Sequence, residues 1–178
     1  MTLLHYFKKI TFILLLVFLL MSISSQAADR VVINITGRVI ASPCTVDNKG
    51  LYNVDLGSNI PSNMFNTPAS GADWIPFDIT LSDCPLGTSS VTATFTGTPD
   101  SDDPTTYANT NGSEFAQRVS IELQDTTGAN LGNSKSLTKN VALNATVKFP
   151  LRARAYSKKG GVTAGKISTQ VLMSLTYN

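Results

Sequence analysis

Apolar and polar residues alternate along residues 31–39. Val31, Ile33, Ile35 and Val39 are apolar with a gap at Gly37, Arg30, Asn34, Thr36 and Arg38 are polar, and only Val32 breaks the rule. A period of two describes a strand with one face to bury. The same period recurs down the chain. Residues 54–57 end a short strand, and Phe77, Ile79 and Leu81 alternate with Asp78 and Thr80. Val91, Ala93 and Phe95 alternate with threonines, and Val119, Ile121 and Leu123 with Ser120 and Glu122. Val147, Phe149, Leu151, Ala153 and Ala155 alternate with Lys148, Arg152 and Arg154, interrupted by Pro150. A last strand over residues 167–177 carries Ile167, Val171, Met173, Leu175 and Tyr177 on one face. Residues 59–71 and 98–112 are rich in Asn, Pro, Ser, Thr and Gly and read as loops. Roughly seven short strands between turn signals, with no sustained helical period, predict an all-β sandwich of immunoglobulin type.

The N-terminus follows another pattern. Lys8 and Lys9 precede an apolar run over residues 10–21, and Ser25-Gln26-Ala27 places small residues at the spacing of a cleavage site. A run of about a dozen residues is short of the roughly 20 that a spanning helix needs. Residues 1–27 are therefore expected to be a signal peptide, 28–39 an N-terminal extension and 40–178 one domain. Removing the first 27 of 178 residues leaves 151, which suits a single domain.

That removal changes the chemistry. Lys8 and Lys9 are two of the 14 Lys and Arg, so 12 remain against 12 Asp and Glu. A neutral chain gives no reason to expect nucleic acid as a partner. His5, the only histidine, leaves with the signal, and with it go the commonest general base, the Ser–His and Cys–His pairs and imidazole metal ligands. The densest carboxylate group, Asp100, Asp102 and Asp103, lacks the pattern of a calcium loop and reads as a solvated loop. Arg152, Arg154, Lys158 and Lys159 read as a solvated strand face and turn, and Trp74 as a core or groove-edge residue rather than a sugar platform. No enzyme activity, cofactor, metal or small-molecule substrate is expected. Export places Cys44 and Cys84 in an oxidising compartment, where two cysteines allow one disulfide. Closing a loop of about 40 residues is worth roughly 4 kcal/mol in the chain-entropy picture.

Both ends of the domain are thus amphipathic strands. The first and last strands could pair with each other within one sandwich, or the arm before Cys44 could pair with another copy. An uncovered apolar edge would otherwise template aggregation.

Here the motifs argue a resemblance. The chain resembles the subunits of chaperone–usher (type 1 family) fimbriae, most of all the small minor or adaptor pilins. The likeness rests on the alternating arm with Gly37, on Ala41-Ser42-Pro43-Cys44-Thr45-Val46, Val54-Asp55-Leu56-Gly57 and Phe77-Asp78-Ile79-Thr80-Leu81-Ser82-Asp83-Cys84-Pro85, and on Gly165 with the penultimate Tyr177. It implies an incomplete immunoglobulin-like sandwich lacking its last strand, with a groove that exposes the core. A periplasmic chaperone fills that groove first. At the outer-membrane usher the N-terminal arm of a neighbouring subunit replaces it, which is one of the known forms of strand addition. The implied donor strand is Val31, Ile33, Ile35, Gly37 and Val39, and Gly37 would let the backbone approach where the acceptor core is shallow. The implied groove and chaperone-binding strand is Gly165, Ile167, Val171, Met173, Leu175 and Tyr177, with a partner edge near residues 39–46. The implied place is a fimbrium on the bacterial surface. The arm and the Cys44 context resemble tip adaptors that link adhesin to shaft. A shaft pilin, a basal terminator and a self-complete secreted sandwich are the alternatives.

Overall fold

The computed structural model describes residues 3–20 and 32–178. The cleavage site and Val31 lie outside the described residues. The chain divides into two units, Met1–Arg38 and Val39–Asn178. In the first, α1 (Leu3–Leu20) takes up the apolar N-terminal run. Among the described residues no helix is long and apolar enough to cross a membrane. Residues 32–38 carry no helix or strand.

The second unit contains nine strands among its described residues. They are β1 (Thr45–Val46), β2 (Ser70–Gly71), β3 (Ile75–Ser82), β4 (Ser90–Gly97), β5 (Tyr107–Ala108), β6 (Ser120–Asp125), β7 (Lys135–Asn140), β8 (Val147–Ser157) and β9 (Val171–Tyr177). The larger sheet runs β1-β3-β8-β6-β5 with β2 also on β8, and the smaller runs β7-β4-β9. Every strand pairing is antiparallel. The inward faces meet in one core around Leu81, Val91, Phe95, Tyr107, Phe149 and Leu151, all nearly inaccessible to solvent. β8 shows why alternation writes a central strand: Val147, Phe149, Leu151, Ala153 and Ala155 are all buried. Pro150 is tolerated inside it because β6 stops at the Asp125↔Leu151 pair. Beyond that pair, Pro150 has a neighbour only in Asp78 of β3.

Several elements depart from the sequence expectation. Residues 54–57 form no ladder, yet their side chains keep the period: Tyr52, Val54 and Leu56 are half-buried and Asn53, Asp55 and Gly57 exposed. β7 went unread because Leu137 is the only large apolar residue among its six. β2 and β5, two residues each, lie inside stretches that read as loops. The last strand begins at Val171 rather than Ile167, because β4 ends its pairing at Gly97↔Val171. Ile167 belongs to the β8–β9 connection, whose backbone bonds elsewhere. Cys44 and Cys84 are joined, which fixes the start of the domain to the segment that follows β3.

Candidate functional site

Among the described residues β9 has one neighbour. It pairs with β4 over residues 171–177, and no described strand pairs with its other side. Its inward residues Val171, Met173, Leu175 and Tyr177 are only half-buried, although they pack against the main core. Beside them a groove of about 1140 Å³ opens toward the core. Phe77, Ile79, Phe95, Ile121, Leu123 and Leu151 lie along it, with Ile167, Val171 and Met173 on the β9 side.

The groove's other rim is the extended stretch around residues 52–57, not the predicted residues 39–46. Tyr52, Val54 and Leu56 line it, whereas Thr45 and Val46 are spent on β3. The Tyr52 hydroxyl anchors this rim to Thr80 of β3, donating to its carbonyl and accepting from its N–H, at 3.4 Å each. One wall therefore hangs from the large sheet and the other is the edge of the small sheet. Alternation of Tyr52, Val54 and Leu56 with polar neighbours is the sequence signal that could have found this rim.

The connection from β8 to β9 forms the end of the groove and is held by the loop over residues 98–117. Asn109 is its hub: the amide nitrogen donates to the carbonyls of Ala116 and Lys166, and the amide oxygen accepts from the N–H of Ser168. The Thr110 N–H donates to the Ser168 carbonyl, and the Ala116 N–H to that of Lys166. These bonds present Ile167 to the core without a strand. A Cβ on Gly165 would overlap the backbone of Phe115 and Ala116, so glycine there reflects close chain approach. Nothing in the sequence pattern marked Asn109.

The carboxylate cluster has local work. The Asp100 side chain accepts from the N–H groups of Asp102 and Asp103. Asp102 pairs with Lys159 and Asp103 with Lys158, which pins the loop to the turn after β8. Burial pushes the Asp103 carboxyl up, but hydrogen bonds from Thr105 and the Lys158 charge outweigh it and hold it below its ordinary value. Among the described residues no cluster is arranged to hold a metal ion. Trp74 is neither in the core nor on the groove. It lies within 4.4 Å of both the Arg152 and Arg154 guanidinium groups, and Arg154 pairs with Glu122 at 2.8 Å. Tyr107, unremarked in the sequence, is buried and donates to the Leu131 carbonyl, and burial raises its phenol to about 12.

The described arm residues are exposed. Ile33 is 76% exposed, Ile35 90% and Val39 99%. A Cβ on Gly37 would meet nothing within 4 Å, and its φ lies outside the left-handed region. Neither contact nor backbone conformation inside this molecule requires glycine there.

Comparison with known proteins identifies the family. The sequence model of the family described as Fimbrial protein matches residues 33–178. Protein FimG of Escherichia coli K12 is 36% identical over 168 residues, covering 94% of this chain and 96% of that protein. The S-fimbrial adhesin protein SfaS of Escherichia coli O6:K15:H31 is 38% identical over 155 residues, covering 86% and 88%. Among solved structures, an antigen and type I fimbria protein of Burkholderia pseudomallei superposes with a TM-score of 0.57 at 26% identity, over 77% of this chain and 90% of that one. The P pilus rod subunit PapA shares the fold, with a TM-score of 0.64 at 18% identity over 77% and 100%. The chain belongs to the fimbrial protein family, and it is an immunoglobulin-like structural subunit of a chaperone–usher pilus.

Proposed function

We propose that this subunit polymerises by donor-strand exchange and serves as a minor adaptor near the fibre tip, joining adhesin to shaft. The observation that carries the exchange reading is the apolar, half-buried and unpaired edge of β9 beside an open groove. The donor is the arm Val31, Ile33, Ile35, Gly37 and Val39. Four aliphatic side chains at roughly 1.5–3 kcal/mol each would bring on the order of 6–12 kcal/mol. Backbone pairing along the strand adds to that gain, while ordering the arm at about 1–2 kcal/mol per residue opposes it, so the durability of the joint rests on groove closure and slow unfolding. The acceptor strand is Val171, Met173, Leu175 and Tyr177, with Gly165 and Ile167 shaping its approach.

In this reading residues 1–27 direct export, 28–39 are donated and 40–178 form the pilin domain. A periplasmic chaperone occupies the groove until the outer-membrane usher hands the subunit to its neighbour. The protein works by assembly and not by catalysis. The adaptor assignment is supported by the arm and by the Thr45-Val46 context after Cys44, and a shaft pilin is the second reading.

The test is a melt of the chain alone and with a synthetic peptide of residues 29–40. At a thousandfold excess over Kd, binding adds about 4 kcal/mol. In a domain of this size that moves Tm by about 8–16 °C. The same peptide with Gly37→Arg is expected to leave Tm where it was. Equal melts with and without the unaltered peptide would reject the exchange reading. Immunogold labelling of assembled fibres then separates an adaptor, confined to tips, from a shaft subunit along the whole length.

A further inference from the structure

We propose that Leu86 and Leu143, at the root of the arm, form a contact surface for the domain that takes up that arm. The inference rests on the donor-strand reading above. Both leucines are fully exposed, beyond any other large apolar residue in the domain. Each stands just after the first residue of a tight turn. The Thr88 N–H closes one turn on the Pro85 carbonyl at 3.1 Å, and the Ala145 N–H closes the other on Ala142 at 2.9 Å. Such tips usually take polar or turn-forming residues, and a leucine there adds nothing to the core beneath it. A single exposed leucine would need no explanation, whereas two at one place call for a partner.

The two turns and the arm root are stitched together. The Cys84 N–H donates to the Ala145 carbonyl at 3.0 Å, which ties the first segment to the second turn. Cys84 is bonded to Cys44, and the Thr88 hydroxyl donates to the Ser42 carbonyl at 3.1 Å. Both leucines therefore sit at the end of the domain from which the chain runs out through Ala41 and Ile40 to Val39. Ile40, the second residue of that exit, is itself 74% exposed.

Chain length then selects the occupant. Four residues lie between Val39 and the fixed Cys44, and the five steps from one to the other reach at most about 18 Å. A domain that holds Val39 in its groove must come against this end of the donor. Two apolar tips flanking a short tether suit the mouth of an acceptor groove, where apolar core borders the surface. The leucines would stiffen the joint between consecutive domains and slow its opening.

The test uses this chain with Gly37→Arg as acceptor, since its groove is unaltered. The donors are the unaltered chain, the Leu86→Ser/Leu143→Ser double variant and the synthetic peptide of residues 29–40. Each is displaced from labelled acceptor by excess peptide and its dissociation timed. The unaltered chain is expected to leave about a hundredfold more slowly than the peptide, about tenfold per leucine, and the double variant at close to the peptide's rate. The double variant alone should melt with the unaltered chain, because neither side chain is packed. Equal rates for all three donors would overturn the contact and leave the arm reading standing. A slow rate retained by the double variant, or a lowered melt of that variant alone, would also overturn it. A peptide that never enters the groove would remove the arm reading, and the contact with it.

Discussion

β7 and β9 are the two edges of one three-stranded sheet, and both pair with β4. The same inward residues of β4 meet opposite chemistry on each side. Phe95, Ala93 and Val91 stand opposite Lys135, Leu137 and Lys139 of β7. On the other side they stand opposite Met173, Leu175 and Tyr177 of β9. Lysines at the inward register of an edge strand are a recognised way to keep it from recruiting another strand. β7 has two, Lys135 exposed and Lys139 half-buried, while residues 171–177 contain no charge, proline or glycine. One edge carries charge and the other is apolar, although both present the same unpaired backbone among the described residues. The difference supports reading the open side of β9 as a receiving edge, in line with the exchange proposal.

The strongest way to break this comparison is to give β9 the chemistry of β7. Met173→Lys places an ammonium where an incoming strand would bury it, and an unpaired buried charge costs several kcal/mol. Uptake of the arm peptide is expected to fall by about a hundredfold or more, read as loss of the peptide-induced rise in Tm. In the free chain the lysine can extend its head into the open groove, so the melt without peptide should change little. Undiminished peptide uptake would mean that β9 is not the receiving edge.

A smaller effect concerns the turn that delivers β7. Asp125 is buried, and its side chain accepts from the Thr127 hydroxyl and from the N–H groups of Thr127 and Ala129. Burial raises its pKa, but these hydrogen bonds and the charge of Lys139 outweigh it and bring it below the ordinary 3.8. A lowered folded-state value means that the stabilisation is complete above about pH 4 and drains away as pH falls through the folded value. Urea midpoints should therefore decline below pH 4 in the unaltered chain. In Asp125→Asn they should be lower at neutral pH and flatter in acid. Parallel pH profiles for the two would mean that the Asp125 carboxylate does not set the acid sensitivity.

These pairings also show what the sequence could and could not carry. The strands that bury a full face, β3, β4, β6 and β8, were legible because burial imposes a period of two. β9 was legible for the same reason, and its half-buried state was not, because alternation records which face is apolar and not whether a neighbour covers it. β7 was missed because its inward lysines erase the pattern that reveals a strand. The Asn109 hub and the pairing of Asp102 and Asp103 with Lys159 and Lys158 join residues more than 50 positions apart, and no local rule reports on them. Trp74 departs from the expected core or groove edge because an aromatic residue stacked on arginines looks, in sequence, like one in a core.

The smallest expected effect lies on β7 itself. Removing its charges as Lys135→Thr/Lys139→Thr makes it an ordinary β-rich edge. Folding stability should move by about 0.5 kcal/mol or less if the edge is merely solvated. Lys139, however, also helps hold the Asp125 carboxyl low, so part of the acid sensitivity should disappear with it. The decisive readout is association: sedimentation velocity should show concentration-dependent dimers in the double variant that the unaltered chain lacks. Those dimers should persist when the arm peptide fills the groove, because they use the other edge of the sheet. Dimers abolished by the peptide would place the new contact at β9, and the lysines of β7 would then have no guarding role.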